Sequence, residues 1–178
     1  MNQVRKYVIT GGPGSGKSTL LESLKQEGYL CSAEVSRRMI INQVELGTNC
    51  LPWLDIACFS GLVLDEMITE WVNMPADRVT FFDRAIPDVI AYLKHAGLSV
   101  EKRYYKQLYA HPYQHTVFIL PPWQEIYVND PERWQSYKES VSIYQTIRET
   151  YIHSGYQLID VPLMPVWQRV QFVLSYIK

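Results

Sequence analysis

Long hydrophobic runs are missing from this chain. Its apolar stretches are short and broken by charge, so no segment is expected to span a bilayer. The first ten residues carry two basic side chains, Arg5 and Lys6, and read as a strand entering a glycine loop, not as a signal peptide. An excess of one charge is missing too: 17 Lys+Arg against 18 Asp+Glu leave a formal net charge of -1. Without a global basic field, a general DNA- or RNA-binding role is not expected, although a local basic pocket remains allowed. Cysteine is scarce. Cys31, Cys50 and Cys58 make an odd count with no CxxC pair, which predicts reduced, partly buried thiols in a cytoplasmic protein. Repeats, low-complexity tracts and linkers are absent. What remains is an ordinary globular composition, 47% hydrophobic over 178 residues, read as a single domain over 1–178. Aromatic residues are plentiful, with 13 Tyr and 5 Trp, and suit either an aromatic core or pockets that stack planar ligands.

Short β-rich runs alternate with longer helical ones. Strands are expected at 4–10, 29–35, 79–83, 116–120 and 156–161. Helices are expected at 17–27, 36–46, 51–73, 87–95, 101–110, 131–154 and 165–177. Pro52 would open the third helix in its first turn, and Gly28, Gly47 and Gly97 stand where helices close. Strands separated by helices predict an α/β three-layer fold with a parallel sheet covered on both faces. Ligands should then bind beyond the carboxyl ends of the strands.

The strongest motif lies at such an end. Gly11-Gly12-Pro13-Gly14-Ser15-Gly16-Lys17-Ser18 matches GxxxxGK[ST], directly after a predicted strand and opening a predicted helix. Glycines let successive N–H groups converge on phosphate oxygens, and the helix N-terminus adds partial positive charge. Lys17 is expected to reach the β- and γ-phosphates, Ser18 to hold Mg²⁺, and Thr19 to offer a hydroxyl to the α-phosphate. No Asn-Lys-x-Asp guanine-reading motif occurs, which favours ATP over GTP.

Three further clusters sit at strand ends. Asp83, after Phe81-Phe82, is placed to hold Mg²⁺ opposite Ser18, or to cap the next helix. Arg84 follows where a hydrolytic motor would carry a second acid, and an arginine suits substrate or transferred phosphate instead. Glu34, after the second strand, could take a proton from an attacking hydroxyl, with Arg37 on the substrate; the plainer reading is an i,i+3 surface ion pair. Arg38 is expected to face solvent. Residues 121–135 form a long segment with the features of a lid. There Arg133 is either an arginine finger or an exposed side chain on a helix start capped by Asp130. Arg148 is a weaker candidate for that role. Asp88 and Tyr92 lie one helical turn apart and would line a substrate pocket or form a surface pair. His111 and His115 are separated by Pro112, so no zinc pair is expected. Val161-Pro162-Leu163 is positioned to pack an adenine.

Taken together, the phosphate loop, Glu34-x-x-Arg37, Asp83-Arg84-x-x-Pro87-Asp88-x-x-x-Tyr92 and Asn129-Asp130-x-x-Arg133 resemble a family of small AAA-type ATPases with a nicotinamide-riboside-kinase-like domain. That family is similar in fold to thymidylate and deoxynucleoside kinases. The resemblance implies a five-stranded sheet of order 2-3-1-4-5, a lid around 129–133, and ATP with Mg²⁺ as cofactors. It also implies phosphoryl transfer to a small hydroxyl-bearing acceptor, nucleoside- or nucleotide-like. The chain has no room for an appended nucleotidyltransferase or DNA-binding domain, so a biosynthetic regulator is not expected. The competing readings are an NTP-hydrolysing switch acting through a protein partner, a ring-forming motor, and a nucleic-acid kinase. The last two are disfavoured by the missing Asp-Glu pair and by the net charge. A homodimer is left open.

Overall fold

The computed structural model describes residues 5–127 and 136–177. Five strands form one sheet: β1 (Lys6–Gly11), β2 (Leu30–Cys31), β3 (Thr80–Asp83), β4 (Thr116–Leu120) and β5 (Gln157–Asp160). Their order is β2-β3-β1-β4-β5, and every neighbouring pair is parallel. The expected order and direction are therefore those observed. In register, Ile9 lies beside Asp83 on one side and Phe118 on the other. The carboxyl ends of the three central strands thus open at one edge.

Alternation along the strands divides the core. Tyr7, Ile9, Phe81 and Phe118 face α1 (Lys17–Gln26) and α7 (Val166–Leu174), burying Leu20, Leu24, Val170 and Val173. Val8, Phe82, Val117 and Ile119 face the other way, onto α4 (Ile86–His95) and α6 (Tyr137–His153), where Ala91, Ile143, Ile147 and Tyr151 meet them. A third apolar cluster joins α2 (Val35–Glu45), α3 (Ile56–Asn73), α4 and α5 (Lys102–Ala110). It builds one wall of the site described below.

Five details differ from expectation. β2 is two residues long instead of seven. It is an edge strand, and Ser32 ends it: its N–H donates to Phe81 O at 2.8 Å while its hydroxyl accepts from Asp83 N at 2.9 Å, and Glu34 is then the N-cap of α2. α3 begins at Ile56, not at 51. Residues 51–55 make a separate turn closed by Asp55 N→Leu51 O at 2.8 Å, and Asp55 caps the helix by accepting from Cys58 N at 2.9 Å. That turn brings Cys50 onto the first turn of α3, and Cys50 and Cys58 form a disulfide, with Cα atoms 5.3 Å apart. The expectation of reduced thiols is corrected for this pair, because a folded-back turn supplies a proximity that the eight-residue spacing does not suggest. Cys31 is free, and burial pushes its thiol up to about 11. Arg38 does not face solvent alone: it bonds Glu66 at 2.7 Å and Glu70 at 3.1 Å, tying α2 to α3. Finally, α6 starts at Tyr137, where Ser136 accepts from Glu139 N at 3.2 Å. The expected start at 131 and the Asp130 cap lie outside the described residues.

Candidate functional site: a phosphate loop and an apolar wall in one cavity

The loop between β1 and α1 is held from three directions. Gly14 and Gly16 have φ of 71° and 85°, left-handed values that favour glycine. Neither tolerates a side chain: a Cβ on Gly14 would stand 2.5 Å from the Tyr127 ring, and one on Gly16 2.9 Å from Arg169 Nη1. From the opposite side Ser140 of α6 donates its hydroxyl to Pro13 O at 2.8 Å. Within the loop Ser15 donates to Gly12 O at 2.9 Å. Lys17 is buried and folds back across the loop, donating to Gly11 O at 3.1 Å and Gly12 O at 3.0 Å. Desolvation, with the nearby Arg84 charge, lowers its ammonium to about 8. Ser18 and Thr19 are exposed on the first turn of α1.

Asp83 ends β3 beside this loop. Its backbone is tied to Ser32, its carboxylate is buried, and Oδ1 has no hydrogen-bond partner. Burial raises its carboxyl above the usual range, against the pull of Lys17 and Arg84. It does not cap α4, whose N-cap is Ala85. A buried carboxylate oxygen with no partner, sharing a hollow with Ser18 and Glu34, fits a hard divalent cation.

Arg84 carries the only positive φ among the described non-glycine residues, 67°. For a bulky side chain that conformation costs about 1 kcal/mol or more. It turns the guanidinium under the phosphate loop, where Nη1 donates to Gly11 O at 3.0 Å and lies 3.5 Å from Asp88 Oδ1. Asp88 is a buried hub: it accepts from Ala85 N at 2.9 Å, from the Tyr151 hydroxyl at 2.5 Å and from Thr10 Oγ1. The surface-pair reading of Asp88 and Tyr92 is thereby corrected. Both line the same cavity as the loop, and Tyr92 lies against Arg84 with 5.6 Å from ring to guanidinium.

That cavity measures ≈ 420 Å³. Its floor is the phosphate loop. Its far wall, which the sequence reading missed, is apolar: Ile40 of α2, Phe59, Val63 and Met67 of α3, and Val89 of α4. Glu34 and Arg37 stand between the two parts, 3.4 Å apart at Nε and Oε2. The structure therefore brings together Lys17, Ser18, Thr19, Glu34, Arg37, Arg84 and Asp88, with Asp83 in the adjoining hollow. Arg148 is elsewhere, 2.6 Å from Asp160 on β5. Val161 is packed in the core, away from the cavity. Arg133 lies outside the described residues, as do Asn129 and Asp130. Arg169 was not anticipated at all. It sits on the apolar stripe of α7 with Val166, Val170 and Val173, and a charge in such a stripe was the available signal.

The sequence matches the family described as an AAA domain over residues 6–169. The chain belongs to that family. Among solved structures it is similar to a NadR protein crystallised in complex with NR, at 16% identity and a TM-score of 0.74. It covers 98% of this chain but 51% of that one, so the chain spans about half the length of that protein. It is also similar to deoxyadenosine kinase from M. mycoides, at 14% identity and a TM-score of 0.65, with 96% of both chains covered. Thymidylate kinase from Ehrlichia chaffeensis is similar at 16% identity and a TM-score of 0.61, covering 97% of this chain and 98% of that one. At these identities the likeness is one of fold, that of the P-loop kinases. Compared by sequence with the curated proteins, the chain matches none.

Proposed function

We propose that this AAA-family chain is a kinase that moves the γ-phosphoryl group of ATP, with Mg²⁺, to the hydroxyl of a small nucleoside- or nucleotide-like acceptor. One observation carries the reading: a single cavity has a phosphate loop at one end and an apolar wall at the other, with a carboxylate and two arginines between them. A motor that only hydrolyses ATP has no use for the second half.

In this reading the loop N–H groups and Lys17 hold the β- and γ-phosphates. Ser18 and Asp83 would hold Mg²⁺, which would supply charge neutralisation for the phosphates. Arg37 and Arg84 orient the acceptor and the group in flight, and Asp88 orients Arg84. Glu34 accepts the proton of the acceptor hydroxyl as its oxygen bonds phosphorus and the β–γ bridge breaks, leaving ADP and a phosphate ester. The apolar wall receives the acceptor's ring and excludes water that would otherwise be phosphorylated in its place. Arg133 belongs to this reading as the closing cation. A cytoplasmic setting belongs to it as well.

The test is γ-labelled ATP turnover with Mg²⁺ across nucleosides, nucleotides and other small alcohols, with Lys17→Ala as the blank. Label moving to one acceptor well above free phosphate is the expected result. Phosphate release indifferent to every acceptor would sink the kinase reading and favour a hydrolytic switch.

A further inference from the structure

Arg169 is 94% buried by its 6% exposure, and among the described residues nothing accepts a hydrogen bond or forms an ion pair with its guanidinium. It lies over the Trp123 ring, with Cζ 5.5 Å from the centroid, a contact that gives it no anion. Burial lowers it from the ordinary arginine value. An unpaired buried cation is costly, and side chains of this kind are ordinarily matched by a carboxylate or a phosphate. No carboxylate takes that role here: Asp88 is engaged by Ala85, Tyr151, Thr10 and Arg84, Glu34 by Arg37, and Asp83, whose Oδ1 has no partner, forms no ion pair with Arg169. The guanidinium instead lies at the loop's last glycine, with Nη1 2.9 Å from where a Gly16 Cβ would be, immediately before the first N–H groups of α1. Those N–H groups are the ones a phosphate chain approaches.

We propose that Arg169, backed by Trp123, is a nucleotide-binding residue that takes the phosphate chain shared by nucleoside di- and triphosphates. The proposal rests on the donor half of the reading above. It also explains the division of cations in the cavity. Arg84 is tied to Gly11 and Asp88 on the acceptor side. Arg169 covers the opposite side, where the loop meets α7 and the segment bearing Trp123 and Ile126. As the ligand supplies the missing anion, binding of nucleotide would relieve a strain that the free protein carries.

The test compares wild type, Arg169→Met and Arg169→Lys by calorimetric binding of ATP, ADP and adenosine, alongside thermal melting without ligand. Arg169→Met is expected to weaken ATP and ADP by about 10–100-fold, the scale of a lost charge-assisted hydrogen bond. Adenosine, which has no phosphate, should bind as before. Arg169→Lys should recover part of the ATP affinity. The ligand-free Met variant should melt no lower than wild type, since an unpaired buried charge has been replaced by an apolar chain of similar length. Undiminished ATP binding by the Met variant overturns the proposal. So does an equal loss for adenosine, which would make Arg169 a base-stacking group, or a loss with ATP that ADP does not share. A lower ligand-free melting point with no rescue by lysine would also overturn it, assigning Arg169 to the core. Wild type that binds none of the three ligands would bring down the proposed function with it, whereas wild-type binding with an unaffected variant brings down this inference alone.

Discussion

The two ends of the cavity are built by opposite means. At the phosphate-loop end the chain uses backbone: left-handed glycines, a helix N-terminus, and a loop pinned through main-chain oxygens by Ser140, Ser15 and Lys17. At the apolar end it uses side chains: Phe59, Val63 and Met67 of α3, with Glu34, Arg37 and Arg84 in the same lining. A backbone cradle recognises what every nucleoside triphosphate shares and leaves little room for variation. A wall of side chains can be remodelled residue by residue. On the proposed function, substrate choice would reside in α2 and α3 and the reaction type in the loop after β1.

Substitutions at the two ends should then separate cleanly. The largest effect is expected from Lys17→Ala, which removes the buried ammonium from the phosphates and should lower kcat by about 10³-fold or more. Melting of the ligand-free variant should stay near wild type, because the lysine is desolvated and held only by neutral oxygens of the loop, Gly11 O, Gly12 O and Ser15 Oγ. Glu34→Gln should lower kcat by about 10²–10⁴-fold, the range of a lost general base, while the KM for ATP stays put. Steady-state kinetics with the true acceptor decides it, and full turnover in the glutamine variant would remove Glu34 from the chemistry. Val63→Ala thins the far wall and, since Val63 also packs in the third cluster, costs some stability as well. It should raise the acceptor KM by about 10-fold, the scale of methyl groups lost from an apolar pocket, with the KM for ATP unchanged. A parallel rise in the KM for ATP would erase the contrast between the two ends.

The smallest effect is a proton count. Lys17 stands near 8 in the folded chain and at 10.5 in the unfolded one. Its contribution destabilises the fold fully below about pH 8, and stability recovers as pH rises toward the unfolded value. Phosphate should restore the charged form. At pH 8, ATP added without Mg²⁺ should then take up about half a proton per site, read by calorimetry in two buffers of different ionisation enthalpy. Lys17→Met should abolish the uptake.

The donor end was legible in the sequence because its parts are contiguous. Eight consecutive residues carry the loop, and Asp83-Arg84 follow an apolar strand that announces its own carboxyl end. The sheet was legible for the same reason, its central strands being short continuous apolar runs. What could not be read depends on chain segments meeting in space. The Phe59–Val63–Met67 face has ordinary helical spacing, and nothing in it says that a cavity, rather than core, lies opposite. The Cys50–Cys58 bridge needs the 51–55 turn, which a proline-led helix seemed to exclude. Ser140 and Arg169 are single polar residues in apolar stripes, noticeable only after the loop beside them is known. The edge strand β2 is read worst, since the Ser32 hydroxyl, which takes Asp83 N, suffices to end it.

Arg84 combines two demands that no other residue meets at once. Its backbone sits where glycine would be relaxed, and its guanidinium brings to Gly11 O and Asp88 a buried positive charge that glycine would remove. Lysine keeps the charge but inherits the same backbone strain and lacks the planar guanidinium that lies against Tyr92. Asparagine eases the backbone and falls short of Gly11 O and Asp88. In a saturation library this position should therefore behave unlike a core site, which accepts neighbours in size, and unlike a surface site, which accepts nearly anything. Its tolerated set should shrink to one letter, which makes Arg84 a sharper fingerprint of the working site than any glycine of the loop.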